Sequence, residues 1–178
     1  LYVLITSFSP LRLYLYEDGL VRFATDDYDK DNPYNTFINL TNYSINKESE
    51  NFKKDVSSTN ECVGSKWSLT ALKGYFKENS IDFHGLWLKI KDIITKTCVS
   101  IEKQTVDKVN SLIKYSNCLF ELYGFDVLVD SNFNPWLMEV NVCPSLSSSS
   151  PMDRRIKHTL LTDLLNLIGI EYQSPKEQ

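Results

Sequence analysis

The chain has 178 residues, of which 42% are hydrophobic, 12% aromatic and 24% charged. That is enough for one ordinary domain with a real core, and it argues against a disordered chain and a membrane protein. A formal net charge of −4 excludes a whole-domain basic footprint for nucleic acid though not a local basic patch, and no apolar run approaches the roughly 20 residues that span a bilayer.

Leu1 to Thr6 reads as a strand that starts without an initiator Met or a charged leader, so the expectation is a piece of a longer protein. Ser7 to Pro10 is a turn. Leu11 to Tyr16 then alternates, with Leu11, Leu13 and Leu15 on one face and Arg12, Tyr14 and Tyr16 on the other. Glu17-Asp18-Gly19 signals a turn, from which Leu20 to Thr25 is expected to return as a partner strand. Residues 26–35 read as a loop, Phe37 to Ser44 as a short apolar-polar segment, and Asn46 to Glu61 as polar and mobile. A helix is expected from near Ser65 to Asn79 on the spacing of Trp67, Ala71 and Tyr75 beside Leu72 and Phe76. A second is expected over 85–98, with Leu86, Ile90, Ile93, Ile94 and Thr97 as its stripe, and a weaker third over 101–115.

Leu119 to Asp130 and Pro135 to Val142 are strand-like, joined by Ser131 to Asn134, and a Ser-rich loop leads to the last helix. Ser150 is its expected cap, Pro151 its first residue and Asp153 the acid three residues after the cap. Ile156, Leu160, Leu161, Leu164 and Ile168 supply its stripe and Gly169 its stop. Arg154, Arg155, Lys157 and His158 lie on its other side, in the turns where positive charge opposes the helix dipole. They read either as a solvated face or as a patch that attracts an acidic partner. Cys62, Cys98, Cys118 and Cys143 form no CxxC pair, and only His84 and His158 could assist them; a reduced cytosolic protein is expected over a disulfide framework or a structural zinc site. Asn39-Leu40-Thr41 and Asn42-Tyr43-Ser44 match the glycosylation pattern by coincidence in such a protein.

The two strands flanking residues 131–134 carry the chemistry. If Asp130 pairs with Pro135, Leu128 faces Leu137 and Asp126 faces Glu139, with side chains about 5 Å apart at Cβ. Asn141, two residues on, shares that face. The opposite face would be a core face of Phe125, Val127, Val129, Trp136, Met138 and Val140. Two carboxylates placed opposite one another repel, and a cation relieves the repulsion. Two carboxylates and an amide oxygen suit Mg²⁺, which keeps water and binds substrate phosphates. An exposed acidic patch and a metal-free acid/base pair are the alternatives. A phosphate would want a basic partner on a neighbouring strand: Arg12 is the better candidate and Arg22 the second. No glycine-rich phosphate loop occurs. Cys143, next to the ligand strand, reads as a small, partly buried thiol, and His158 as a surface residue.

Several ordered motifs carry a family likeness: Val3-Leu4-Ile5-Thr6-Ser7, Pro10-Leu11-Arg12-Leu13-Tyr14-Leu15, Asp18-Gly19-Leu20-Val21-Arg22-Phe23-Ala24 and Leu40-Thr41-Asn42-Tyr43-Ser44-Ile45-Asn46-Lys47. Lys66-Trp67-Ser68, Glu121-Leu122-Tyr123-Gly124-Phe125-Asp126, Trp136-Leu137-Met138-Glu139-Val140-Asn141 and Pro144-Ser145-Leu146 follow. The chain resembles the tubulin–tyrosine ligase-like proteins, the polyglutamylase branch more than tyrosine ligase itself, from about Tyr2 to Gly169.

That resemblance implies an α+β chain that is the C-terminal portion of an ATP-grasp fold, an antiparallel sheet with flanking helices, whose residues 79–115 are a helical and most divergent segment. It implies ATP and Mg²⁺ as cofactors, an acyl-phosphate formed on a glutamate side chain of a tubulin tail, and free glutamate as the attacking amine. Asp126, Glu139 and Asn141 match the Mg²⁺ ligands, Arg12 an arginine that steadies the transferring phosphate, and Thr41 and Asn42 a segment lining the substrate end of the cleft. Two departures stand out. Asn39 occupies the place of a usual His, and the ATP-gripping half of the fold would lie upstream of Leu1, so the fragment alone is expected to be inactive. The implied partners are tubulin or microtubule tails and that upstream half, with no nucleic acid and no membrane. The implied location is the cytoplasm and cytoskeleton, the cilium or basal body included. A non-catalytic microtubule-associated module, a glycine or tyrosine ligase of the same family, and an ATP-grasp ligase with a small substrate are the rival readings.

Overall fold

A computed structural model describes residues 1–52, 64–112 and 119–169. The strands are β1 (Tyr2–Phe8), β2 (Leu11–Leu15), β3 (Leu20–Arg22), β4 (Lys66–Ser68), β5 (Glu121–Val129) and β6 (Pro135–Asn141). The helices are α1 (Thr36–Asn39), α2 (Tyr43–Asn46), α3 (Leu69–Glu78), α4 (Phe83–Leu112) and α5 (Pro151–Ile168). This is a mixed α/β architecture in two compact units. The first holds Leu1–Tyr16, His84–Leu146 and the described residues from Lys157 onward; the second holds Glu17–Phe83 and Ser147–Ile156.

The first unit is built on a four-stranded antiparallel sheet of order β2-β1-β5-β6. Alternation assigns its faces. Val3 and Ile5 pair with Leu15 and Leu13 on one side and with Tyr123 and Glu121 on the other, so they share a face with Phe125. Val3, Ile5 and Phe125 are essentially fully buried, and they mark the core of this unit. α4 buries Leu86, Ile90, Ile94 and Cys98, a stripe at every fourth residue. Burial pushes the Cys98 thiol above its ordinary pKa. Burial also raises the Tyr123 phenol, helped by Glu121 and by Cys98, which sets α4 against this face of the sheet. Lys89 of α4 reaches Asn134 Oδ1 at 2.8 Å. The two helices expected over 85–98 and 101–115 are one through Leu112: no Gly or Pro interrupts the run between them, and the Thr97 and Ser100 hydroxyls are satisfied by the carbonyls of Ile93 and Thr97 without breaking it.

In the second unit, β3 pairs with β4 and not with β2, which corrects the expected three-stranded start. β1 has both edges occupied, by β2 and β5, so Leu20–Arg22 cannot extend that sheet through β1. The Asp18 carboxylate accepts from the backbone N–H groups of Gly19 and Thr70, and Gly19 O accepts from Leu69 N. The turn is thereby tied to the start of α3. The helix expected from Ser65 begins later: Lys66–Ser68 is a strand, and the Ser68 hydroxyl caps α3 by accepting from Ala71 N at 3.0 Å. The short segment over 37–44 is divided between α1 and α2. Most of the polar stretch expected to be mobile, and Cys62 and Cys118, lie outside the described residues.

α5 starts and stops where its punctuation predicts. Ser150 Oγ accepts from Asp153 N at 3.2 Å, and Gly169 closes the helix at φ +74°. Its residues 151–156 belong to the second unit and the remainder to the first. Among the described residues, no helix is long and apolar enough to cross a membrane.

Candidate active site

Asp126 and Glu139 are direct partners across β5 and β6, and Asn141 pairs with Gly124 on the same face. Asn141 Nδ2 donates to Glu139 Oε1 at 3.1 Å, so the amide and one carboxylate are already in contact. Both carboxylates are exposed, which lets water limit their repulsion. Among the described residues, no group of three or more His, Cys, Asp or Glu is placed to hold a metal ion. A hard cation at this face would therefore draw on Asp126, Glu139 and the Asn141 amide, an all-oxygen donor set that fits Mg²⁺ and not a soft metal.

The register differs from expectation toward the hairpin tip. Val127 opposes Leu137, Leu128 opposes Trp136 and Val129 opposes Pro135, with the break between Asp126 and Val127. Met138 is the extra residue of a bulge. The tip itself is one residue tighter than expected, with Asp130 N bonded to Asn134 O and Phe133 held at φ +57°. The bulge absorbs that slip before it reaches Glu139. It also moves Trp136 into register with Leu128, away from the expected core face, and leaves Trp136 and Met138 exposed.

Gly124 is a positioning residue that composition and periodicity did not single out. A Cβ there would stand 2.8 Å from Pro144 Cβ, so only glycine lets the loop after β6 close against β5 beside Asn141. Cys143, expected to be partly buried, is exposed beyond the last ladder pair.

Arg12 shares the carboxylate face. Tyr14 pairs with Leu4, Leu4 with Leu122, and Leu122 alternates through Gly124 to Asp126, while Arg12 alternates with Tyr14. The sheet does not bring Arg12 beside the carboxylates, however. It stands opposite Ser7, whereas Asp126 lies two residues beyond the partner of Tyr2. They are roughly six residue levels apart, about 20 Å at ~3.3 Å per residue.

Arg22 lies elsewhere. β3 and β4 place it directly opposite Lys66, and both line a pocket in the second unit with Thr41, Tyr43, Asn46 and Ser149. The pocket has a cavity volume of about 30 Å³. Asn46, expected to open the polar stretch, is buried and organises this wall. Its Oδ1 accepts from Thr25 N and Oγ1 at 3.2 and 2.8 Å, and its Nδ2 donates to Leu40 O and Asn42 O at 2.7 and 3.1 Å. The backbone on both sides of Thr41 is thereby fixed, while the Asn42 side chain is exposed and makes no capping bond. Asn39 donates to Pro33 O and Asn35 O, a role within its own loop.

The basic face expected on α5 is dispersed. Lys157 is buried, whereas Arg154, Arg155 and His158 are exposed, with Arg155 standing 3.7 Å from Asp18 Oδ2. Asp153 is more than a cap residue: it is 2% exposed and pairs with Lys66 Nζ at 3.0 Å.

All of residues 1–178 match the tubulin-tyrosine ligase family. The chain belongs to that family. It is 42% identical over 180 residues to tubulin polyglutamylase TTLL5 of Homo sapiens, covering 100% of this chain and 14% of that protein. It is 42% identical over 171 residues to tubulin monoglutamylase TTLL4 of Mus musculus, covering 95% and 14% respectively. Against tubulin polyglutamylase TTLL13 of Mus musculus it is 41% identical over 178 residues, 96% of this chain and 22% of that protein. The chain thus spans from 14% to 22% of the length of these members of the tubulin-tyrosine ligase family.

Proposed function

We propose that this chain is the C-terminal portion of an ATP-grasp catalytic domain, with residues 79–115 as its most divergent segment. The intact protein would join the amine of free glutamate to a glutamate side-chain carboxylate of a tubulin tail, through an acyl-phosphate, in the cytoplasm and cytoskeleton. The observation that carries the reading is the pairing of Asp126 with Glu139 on one sheet face, with Asn141 in contact with Glu139. The names of the similar proteins, which are glutamylases, favour glutamate over glycine or tyrosine. They also favour an enzyme over a non-catalytic module.

In this reading Asp126, Glu139 and Asn141 hold Mg²⁺, which when bound offsets the charge of the ATP phosphates. The bulge and Gly124 keep those three side chains in register. Of the two arginines offered for the transferring phosphate, Arg22 stands opposite Lys66, while Arg12 shares the carboxylate face at a distance. The Thr41–Asn42 segment supports substrate, with Thr41 at a pocket whose two cations suit a carboxylate of the amino acid. Glu139→Gln in the intact protein is expected to preserve the fold and lower turnover by about a hundredfold or more, as loss of a group that acts on transition-state charge does. Near-native ligation of glutamate by that variant would refute the assignment. Arg12→Ala beside Arg22→Ala identifies which arginine governs turnover.

A further inference from the structure

We propose that Asp153 is a positioning residue for the pocket of the second unit: it holds the Lys66 ammonium where Lys66 and Arg22 can share one anionic group. The proposal rests on the ligase reading, in which that group is a carboxylate of the free amino acid. β3 and β4 set Arg22 and Lys66 directly opposite each other, an arrangement of like charges that destabilises a strand pair. Asp153 relieves half of it. Its Oδ2 lies 3.0 Å from Lys66 Nζ, with the two side chains 3% and 15% exposed.

The same oxygen accepts from Ser149 N at 3.0 Å and from Ser149 Oγ at 3.4 Å, and Lys66 Nζ donates to Ser149 Oγ at 3.0 Å. Lys66 is thus fixed at two points, by a buried carboxylate and by the hydroxyl of a pocket residue. Asp153 N bonded to Ser150 Oγ in turn fixes the carboxylate to the first turn of α5. A helix cap alone would explain that last bond; it would not explain a carboxylate buried against a lysine from another element. Among the described residues Arg22 makes no ion pair, so the three charges leave one positive charge at the pocket. An anion completes the set.

The test uses the intact protein with Asp153→Asn, Lys66→Met and the double variant, which removes both members of the buried pair and so keeps the comparison where Asp153→Asn alone does not fold. Expected for Asp153→Asn is a KM for L-glutamate raised about tenfold with the KM for ATP within about twofold, the loss of one charge-assisted hydrogen bond at one ligand. The double variant should match Lys66→Met, because Asp153 acts through Lys66. Acetylation of Lys66 by acetic anhydride, read by mass spectrometry, should rise several-fold in Asp153→Asn. Equal rises in both KM values, additive effects in the double variant, or unchanged Lys66 acetylation would each overturn the positioning role. If the native protein consumes no ATP in response to glutamate while Asp153→Asn still exposes Lys66, the ligase reading fails and the positioning role stands.

Discussion

Replacing Asn46 by Asp changes almost no volume and inverts half of a hydrogen-bond network. Asn46 is 1% exposed and makes four hydrogen bonds, two as acceptor from Thr25 and two as donor to Leu40 O and Asn42 O. In the aspartate the donor nitrogen becomes an oxygen about 3 Å from two carbonyl oxygens. Two hydrogen bonds at about 1 kcal/mol each are lost, and a buried carboxylate facing two carbonyl oxygens adds a further 1–3 kcal/mol or so. The expected destabilisation at pH 7 is about 3–5 kcal/mol, a large share of the ~5–15 kcal/mol of a small domain. Asn46→Ala also loses these bonds but buries no charge, and should be less damaging at about 2–4 kcal/mol.

The pH dependence separates the two variants. Burial and the facing carbonyls favour the protonated acid in the folded state, so its folded pKa lies above the unfolded value of about 4. A raised folded pKa means that the penalty is small below the unfolded value and grows as pH rises through the folded one. Urea unfolding from pH 4 to 7, with amide exchange of Thr25 and residues 40–46 as the local reporter, measures this. An Asn46→Asp variant within about 0.5 kcal/mol of the parent at pH 7, or one whose deficit ignores pH, would refute the network as the brace of the Thr41 segment.

Asp130 behaves in the opposite sense. Asn134 N, then the Trp136 indole, then the Asn132 and Asn134 groups hold its carboxyl below its ordinary pKa. A lowered folded pKa contributes order that is present above the unfolded value and lost as pH falls through the folded one. Amide protection at Asn132 and Asn134 should therefore fade below about pH 4, and Asp130→Asn should show the faded state already at neutral pH. Equal protection in the variant at pH 7 would show that the hairpin loop holds without the carboxylate. Gly124→Ala places Cβ 2.8 Å from Pro144 Cβ, so the loop after β6 must shift and carry Asn141 with it. The intact protein should lose Mg²⁺-dependent nucleotide affinity by more than Cys143→Ser does, and equal affinities would remove Gly124 from the site.

What was legible in the sequence shares a physical property: local signals agreed with tertiary demand. β2 alternates because one face is half-buried and the other exposed, and α5 carries its own cap, first-turn proline and terminal glycine. Lys66-Trp67-Ser68 failed as a helix start because nothing local says that Lys66 will pair with Arg22, 44 positions away in number. The pocket was illegible for the same reason. Its members come from β3, α2 and the segment before it, β4 and the Ser-rich loop, among others, and only the fold collects them.

The hairpin shows how a correct pairing can emerge from an incorrect count. Reckoned from a loop of 131–134, Asp130 opposes Pro135 and Asp126 opposes Glu139. The tip actually closes one residue tighter, through Asp130 and Asn134, and Val129 opposes Pro135. Continued unbroken, that register would set Asp126 against Met138 and turn Glu139 to the opposite face, since a one-residue slip inverts every side chain. The extra residue at Met138 restores the alignment before the carboxylates. Turn chemistry at the tip and side-chain chemistry at the site are thus satisfied independently, by Asp130 at one end and by Gly124 with Asn141 at the other. Unless it separated two requirements of this kind, a bulge between Leu137 and Glu139 would only interrupt a ladder that two regular strands could have completed.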